Sequence, residues 1–272
     1  MVKFRFFSSH TLLAVWLGWL ITAGGRQVSD IVKDVMQQEI GLQELIDVSL
    51  VVDLSFWVGY IITALVLGIL SDKIGRKKII YLSILLFCIP TALIAIVPSE
   101  IFVYIRFLQG LSVGGFFPVA VALLGELYDV KSRAKAVSQF VSGGIFGAIV
   151  GWFVAGIADD YLGAWQFGFL ILVPPIIMVG IINYFLVEES PKFKIKQTTN
   201  ETKSVSILNS FKQILKNRFL IIALLFCALD LFTLWLVDDW VPYIMKDFYS
   251  ITSIEAALFR ATSAFSGSIG IL

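Results

Sequence analysis

Gly68-Ile69-Leu70-Ser71-Asp72-Lys73-Ile74-Gly75-Arg76-Lys77-Lys78 joins the end of one long apolar segment to the start of another, and its reading decides the fold. Gly68 lacks a side chain where two helices are expected to approach closely, and Gly75 permits a tight turn. Asp72 stands four residues before Arg76, the spacing of neighbours on a helix. The run Arg76-Lys77-Lys78 is too costly for a hydrocarbon layer, so the segments on either side must meet it at a water-facing boundary.

Outward from this loop the same pattern repeats. Hydrophobic residues make up 58% of the chain and charged residues 15%, more apolar than a soluble domain can hide. Stretches of roughly 20 apolar residues cross a bilayer as helices, because each backbone polar group is then satisfied within its own segment. Eight are expected: Thr11 to Val32, Val51 to Leu70, Ile79 to Val97, Ile101 to Leu124, Val137 to Ile157, Phe167 to Val187, Phe219 to Met245 and Ile254 to Leu272. The fold class is therefore all-α integral membrane. Lys3 and Arg5 before an apolar stretch ending in Thr22-Ala23-Gly24 imitate a cleavable leader, but apolar character resumes at Val28, Ile31 and Val32, which reads as an uncleaved first helix. His10 is read as a solvated interfacial residue.

Loop charges set the orientation, since Lys and Arg are retained on the cytoplasmic side. Lys3 and Arg5, Lys73 to Lys78, Lys131 to Lys135 and the seven basic residues from Lys192 to Arg218 occupy alternate loops. The opposite loops carry Asp34, Glu39, Glu44, Asp47, Glu100, Asp159, Asp160, Asp238, Asp239, Asp247 and Glu255. A multi-pass protein of the cell membrane with a cytoplasmic N-terminus and central linker follows. The near-zero net charge gives no reason to expect a nucleic-acid partner. Cys88 and Cys227 lie in apolar spans without metal-ligand spacing. No nucleophile elbow, phosphate loop or paired carboxylates suggest an enzyme, and neither cofactor nor metal is expected.

Charges at membrane depth are the sharpest functional signal, because they are costly and line pathways. Arg26 lies about 22 Å from the inner face of a core roughly 30 Å thick, and Arg106 about 8 Å from the outer face. Two guanidiniums sharing the outer third suggest an anionic substrate, since each offers a planar donor fork matched to a carboxylate. The plainer account pairs Arg26 with Asp30 one turn on and lets Arg106 snorkel to the outer interface. Asp30 is one candidate proton acceptor. Asp230, about 16 Å into the seventh span, is another, and Trp235 one turn outward can wall a substrate site. Gly143, Gly147 and Gly151 form a small-residue stripe read as a packing surface.

The Gly68 to Lys78 loop resembles the signature of the major facilitator superfamily, whose members are secondary transporters built as six plus six helices around a midplane site. That resemblance implies a six-helix bundle over 1–188, a linker over 189–217 and the first two helices of an incomplete second bundle over 218–272. Ser204 to Asn217 places Ile207, Phe211, Ile214 and Leu215 at helical spacing, which predicts a short amphipathic helix in the linker. The full-length protein is expected to carry the missing C-terminal helices.

Glu126, Arg133 and the run Glu188-Glu189-Ser190-Pro191-Lys192 resemble signatures of the sugar-porter branch. With Gly68, Asp72, Gly75 and Arg76 they imply an inner gating network of Asp72, Arg76, Glu126, Arg133 and Glu189. The neighbourhood of Arg26 resembles the anion:cation symporter branch. Arg106-Phe107-Leu108-Gln109-Gly110 matches the fourth-helix arginine of sugar porters, which implies that Arg106 and Gln109 contact substrate. Drug-proton antiporters carry a proline where Ala148 stands. The expectation is alternating-access transport of a small organic anion with protons; a sugar or polyol porter is the rival, and a truncated protein that transports nothing is the other alternative.

Overall fold

A computed structural model of the chain describes residues 9–41, 45–98, 101–193, 195 and 216–269, with the backbone alone for 45–46, 230–239 and 265–269. No strand occurs among the described residues. The helices are α1 His10–Ile31, α2 Lys33–Ile40, α3 Leu45–Ser49, α4 Ser55–Ile74, α5 Arg76–Leu93, α6 Phe102–Val113, α7 Phe116–Leu127, α8 Val130–Leu162, α9 Gln166–Leu186, α10 Arg218–Tyr249 and α11 Ser253–Ile269. Helix therefore falls on each apolar segment read from the sequence, over most of its described residues. Asp47–Ile74, Phe102–Leu127, Val130–Leu162 and Gln166–Leu186 are long and apolar enough to cross a membrane by length and composition. The expected amphipathic helix of Ser204 to Asn217 falls almost wholly outside the described residues.

Three departures from the sequence reading have physical causes. The second span begins earlier than Val51, because α3 runs into α4 through a π-helical turn, Leu50–Leu54. The fourth span is interrupted at Gly114-Gly115, where Pro118 has no N–H to give the Gly114 carbonyl, so it divides into α6 and α7. Pro174 and Pro175, by contrast, sit inside an unbroken α9. A short α2 caps the Asp34 end of the bundle, closed by Gly41 in the left-handed conformation at φ 76°.

Close backbone approach organises the packing. Gly24, Gly143, Gly147 and Gly151 bring α1 onto α8, and a Cβ on Gly143 would lie 2.8 Å from the Trp16 carbonyl and one on Gly24 2.9 Å from that of Gly147. The glycine stripe is thus a packing surface, as its spacing suggested. Gly59, Gly110 and Gly114 do the same between α4 and α6, where the facing carbonyls belong to Phe107, Phe56 and Tyr60. Phe56, Phe87, Phe102, Phe116, Phe140 and Phe169 fill the space between helices and are fully buried. The opposite face of α4 leaves Ile61, Ile62, Leu65, Val66 and Ile69 exposed, a surface suited to lipid.

α11 packs along the far end of α8, where a Cβ on Gly156 would meet the Ile254 backbone at 2.8 Å. Among the described side chains, α10 reaches the first helices through Lys246 near its C-terminal end. Its N-terminal half leaves Phe219, Ile222, Leu224, Leu225, Phe226 and Leu229 exposed. At the Asp34 end α10 and α11 are joined to α1 and α8 by ion pairs and hydrogen bonds.

Candidate functional site

The opening loop forms a compact charge cluster. Gly75 has φ +102°, and a Cβ there would also collide with the Glu189 carboxylate, so glycine is required twice over. Having no side chain, Gly75 cannot cap α5 itself, and Glu189 does so instead, accepting from the backbone N–H of Arg76 at 2.9 Å and of Lys77 at 3.3 Å. The Arg76 guanidinium donates to Glu126 at 2.9 Å, with both side chains 13% exposed, and to Asp72 at 3.3 Å. Ser190 Oγ bonds the other Glu126 oxygen, and Lys192 Nζ lies 3.7 Å from Glu126.

Not every expected member joins. Arg133 donates to the carbonyl of Tyr128 five residues back and stays exposed, outside the cluster. A Cβ on Gly68 would meet nothing within 4 Å, so the close helix approach expected there is not made by the described residues. Gly68 faces the uncovered side of α4, away from the partners of that helix. All the ion pairs of the cluster lie within the first six spans and the segment just after them.

At the opposite end a polar core surrounds Arg106. Rather than snorkelling, this side chain is 1% exposed. It donates to Gln109 Oε1 at 2.6 Å, to Ser29 Oγ at 3.0 Å and to the Val52 carbonyl at 3.3 Å. The last acceptor lies in the π-helical turn, whose shifted register turns a carbonyl toward a side chain. Asp53, in the same turn, stands 3.9 Å from Arg106 and 2.7 Å from Lys33. Gln109 is also fully buried and donates to Thr91 Oγ1 at 2.9 Å. Arg106 and Gln109 are thus brought together but face α1, α5 and the π turn, not an open cleft.

Arg26 is differently placed. It is partly exposed although every other residue from Ile21 to Lys33 is buried. Its guanidinium lies over the Trp57 ring at 5.3 Å, and Arg106 lies over the adjacent Phe56 ring at 5.1 Å. The two rings meet edge to face, with centroids 5.6 Å apart. The two arginines therefore share one aromatic ledge on α4, one from its open side and one from its buried side.

Asp30 has a partner that the plainer sequence account did not offer. Its carboxylate accepts from Arg260 of α11 at 3.3 Å, with the side chains 3% and 4% exposed. Arg260 also lies over the Trp152 ring at 4.3 Å. Beside this pair Lys246 of α10 donates to Asp34 and to the Ile31 carbonyl, both at 2.8 Å. Asp160 accepts from the Ile254 N–H at 2.7 Å, and Asp159 from the Ser253 hydroxyl. Sequence reasoning missed Arg260, Lys246 and Asp53. The signal for Arg260 was present, an arginine inside the eighth apolar span. Asp230 and Trp235 lie in α10, and their side chains fall outside the described residues.

This helical architecture belongs to a known class. The chain is a member of the Major Facilitator Superfamily, whose family model matches residues 15–272. It is 30% identical over 165 residues to a putative metabolite transport protein of Haemophilus influenzae, covering 59% of this chain and 40% of that one. It is 24% identical over 244 residues to a quinolone resistance transporter of Acinetobacter baumannii, covering 80% and 54%. To a gentisate transporter of Corynebacterium glutamicum it is 29% identical over 196 residues, covering 69% and 43%. The chain thus spans about half the length of the curated relatives it matches. Among solved structures, a bacterial homolog of the human lysosomal transporter Spinster superimposes with a TM-score of 0.74 at 18% identity, covering 96% of this chain and 60% of that one. A D-xylose-proton symporter does so with a TM-score of 0.70 at 19% identity, covering 96% and 66%.

Proposed function

We propose that this chain forms the first bundle and the beginning of the second in an alternating-access transporter that moves a small organic anion together with protons. The observation that carries the reading is Arg26, the one partly exposed residue in an otherwise buried stretch of α1, holding its guanidinium over Trp57. A guanidinium braced on an aromatic face at membrane depth supplies bidentate donors to a carboxylate in a setting where water competes poorly. Arg106 and Gln109 then act behind it as the frame that holds α1, α6 and the π turn in register. Gentisate, the cargo in the name of one relative, is a carboxylate and serves as probe.

Asp30 is the proposed proton carrier within the described side chains, and Asp230 a second one in α10. In the proposed topology the Arg76 end faces the cytoplasm of a cell membrane, because the basic loops gather there. The contacts of α10 and α11 with Asp34 and Asp30 then lie on the outer side of the membrane. Further helices of a full-length protein would cover the exposed face of Phe219 to Leu229.

Uptake of labelled gentisate into proteoliposomes tests the reading directly. Arg26→Ala is expected to reduce uptake by about tenfold or more, the loss of a charged hydrogen-bonding partner, and an inward proton gradient to accelerate the wild type. Uptake that is equally fast in Arg26→Ala would defeat the anion assignment. Saturable competition by xylose but not by carboxylates would favour a sugar porter, and absence of any flux through the chain a non-transporting protein.

A further inference from the structure

We infer that the lipid-facing surface of α5 and α9 at the Arg76 end holds an anionic phospholipid, with Lys77 and Lys78 taking its phosphate and Tyr81, Tyr184 and Phe185 seating its glycerol region. Such a site depends on the chain spanning a membrane and not on what it transports. Gly75 ends α4 at the water boundary, so Arg76, Lys77 and Lys78 open α5 where the hydrocarbon begins. The Lys77 ammonium lies over the Tyr184 ring of α9 at 5.6 Å. Tyr81, one turn deeper than Lys77 on the same face of α5, meets that ring edge to face with centroids 5.1 Å apart. Phe185 meets it likewise at 5.0 Å, and both Tyr184 and Phe185 are exposed. A cation braced on exposed rings is the chemistry of a membrane interface.

The carboxylates close by are committed elsewhere. Glu189 accepts from the backbone N–H groups of Arg76, Lys77 and Ser190, and Asp72 and Glu126 accept from the Arg76 guanidinium. Glu188 is exposed, and among the described residues neither Lys77 nor Lys78 makes an ion pair. Two uncompensated ammonium groups at the edge of a bilayer attract an anionic headgroup. What favours a lipid over a soluble anion is the apolar surface beneath them. Leu82, Leu86 and Ile89 of α5 and Ile177 and Ile181 of α9 are all exposed. Ile181 and Ile177 stand three and seven residues from Tyr184, on its face of the helix. A Cβ on Gly180 would meet the Leu85 side chain at 2.5 Å, so α5 and α9 are in contact and the two exposed rows run side by side. From Tyr184 to Ile177 the row descends about 10 Å, most of the roughly 15 Å of one leaflet. A zwitterionic headgroup would set its own cation beside the lysines, whereas one with net negative charge would not.

Native mass spectrometry of the chain released from micelles loaded with equimolar phosphatidylglycerol and phosphatidylcholine reads the preference directly. The wild type is expected to retain phosphatidylglycerol over phosphatidylcholine. Lys77→Gln should cut that preference about fivefold, and Lys77→Gln with Lys78→Gln about twenty-five-fold, the ordinary effect of one and two basic residues at an anionic surface. Absence of a preference in the wild type, or an undiminished one in the double variant, overturns the site.

Three further variants separate a built site from general attraction to a basic loop. Lys73→Gln removes an equal charge from the exposed end of α4 and should leave the preference within about twofold of wild type; a loss as large as that of Lys77→Gln overturns the site. Tyr184→Leu keeps both lysines but removes the ring under Lys77, and should lower the preference about threefold; an unchanged preference in folded protein overturns the aromatic seat. Lys77→Arg keeps the charge and should keep the preference, so its loss in folded protein counts against a phosphate held by charge. Inorganic phosphate added at constant ionic strength should not displace the lipid, since it has no chain to lie along α5 and α9. Complete displacement would assign the lysines to a soluble anion and overturn the lipid.

Discussion

The charge clusters at the two ends of the molecule are built from similar residues and do different work. Asp72, Arg76, Glu126, Glu189 and Ser190 tie together α4, α5, α7 and the segment after α9. Asp30–Arg260, Asp34–Lys246 and Asp160–Ile254 instead cross from the first six spans to α10 and α11. The first cluster is a brace and the second a seam. A brace can stay intact while bundles move relative to one another; a seam cannot. In this structure the ion pairs of the loop that opened the sequence reading stay among α4, α5, α7 and the segment after α9, and the contacts to α10 and α11 are made by the second cluster.

The contrast can be broken by substitution, beginning with the largest effect. Arg106→Ala removes three hydrogen bonds and leaves Asp53 short of a cation, and should destabilise the first bundle by about 3–5 kcal/mol, measured as a fall in the unfolding midpoint in detergent. Glu126→Ala leaves the Arg76 guanidinium buried without its main partner, at a cost of about 2–4 kcal/mol. It should leave unchanged the distance between spin labels at Leu162→Cys and Ser250→Cys, two exposed positions at the C-terminal ends of α8 and α10, in protein with Cys88 and Cys227 replaced by Ser. A lengthened distance there would show that the brace also holds the seam.

Lys246→Ala should do the reverse, costing about 1 kcal/mol in a partly exposed pair while lengthening that distance. Asp72→Ala and Gly68→Ala should each change stability by less than about 0.5 kcal/mol: Asp72 is 62% exposed and a Cβ on Gly68 meets open space. A larger loss in Gly68→Ala would mean that this face packs against helices beyond those described.

Much of the fold was legible because bilayer physics writes itself into local composition. Apolar runs of helical length marked the long helices, and the glycine stripe of α8 announced a packing surface, whose partner α1 only the structure supplied. Reading failed where spatial neighbours are distant in sequence. Arg260 lies 230 residues from Asp30, and a four-residue spacing made Arg26 the more obvious partner. The π-helical turn at Leu50–Leu54 has no clear compositional mark, yet it places Asp53 and the Val52 carbonyl against Arg106.

By itself the sequence determined the helical membrane class, where most of the apolar helices fall and the resemblance to the family, because the cost of exposing backbone to lipid and of burying basic residues depends on local residue type. Tertiary structure decided which charges meet. It buried Arg106 and Gln109 in a satisfied core, left Arg26 on the open side of the same aromatic ledge, and gave Asp30 to Arg260. Ion pairs form between whichever side chains the packing of helices brings within a few ångströms, and helix packing depends on contacts that no single segment contains.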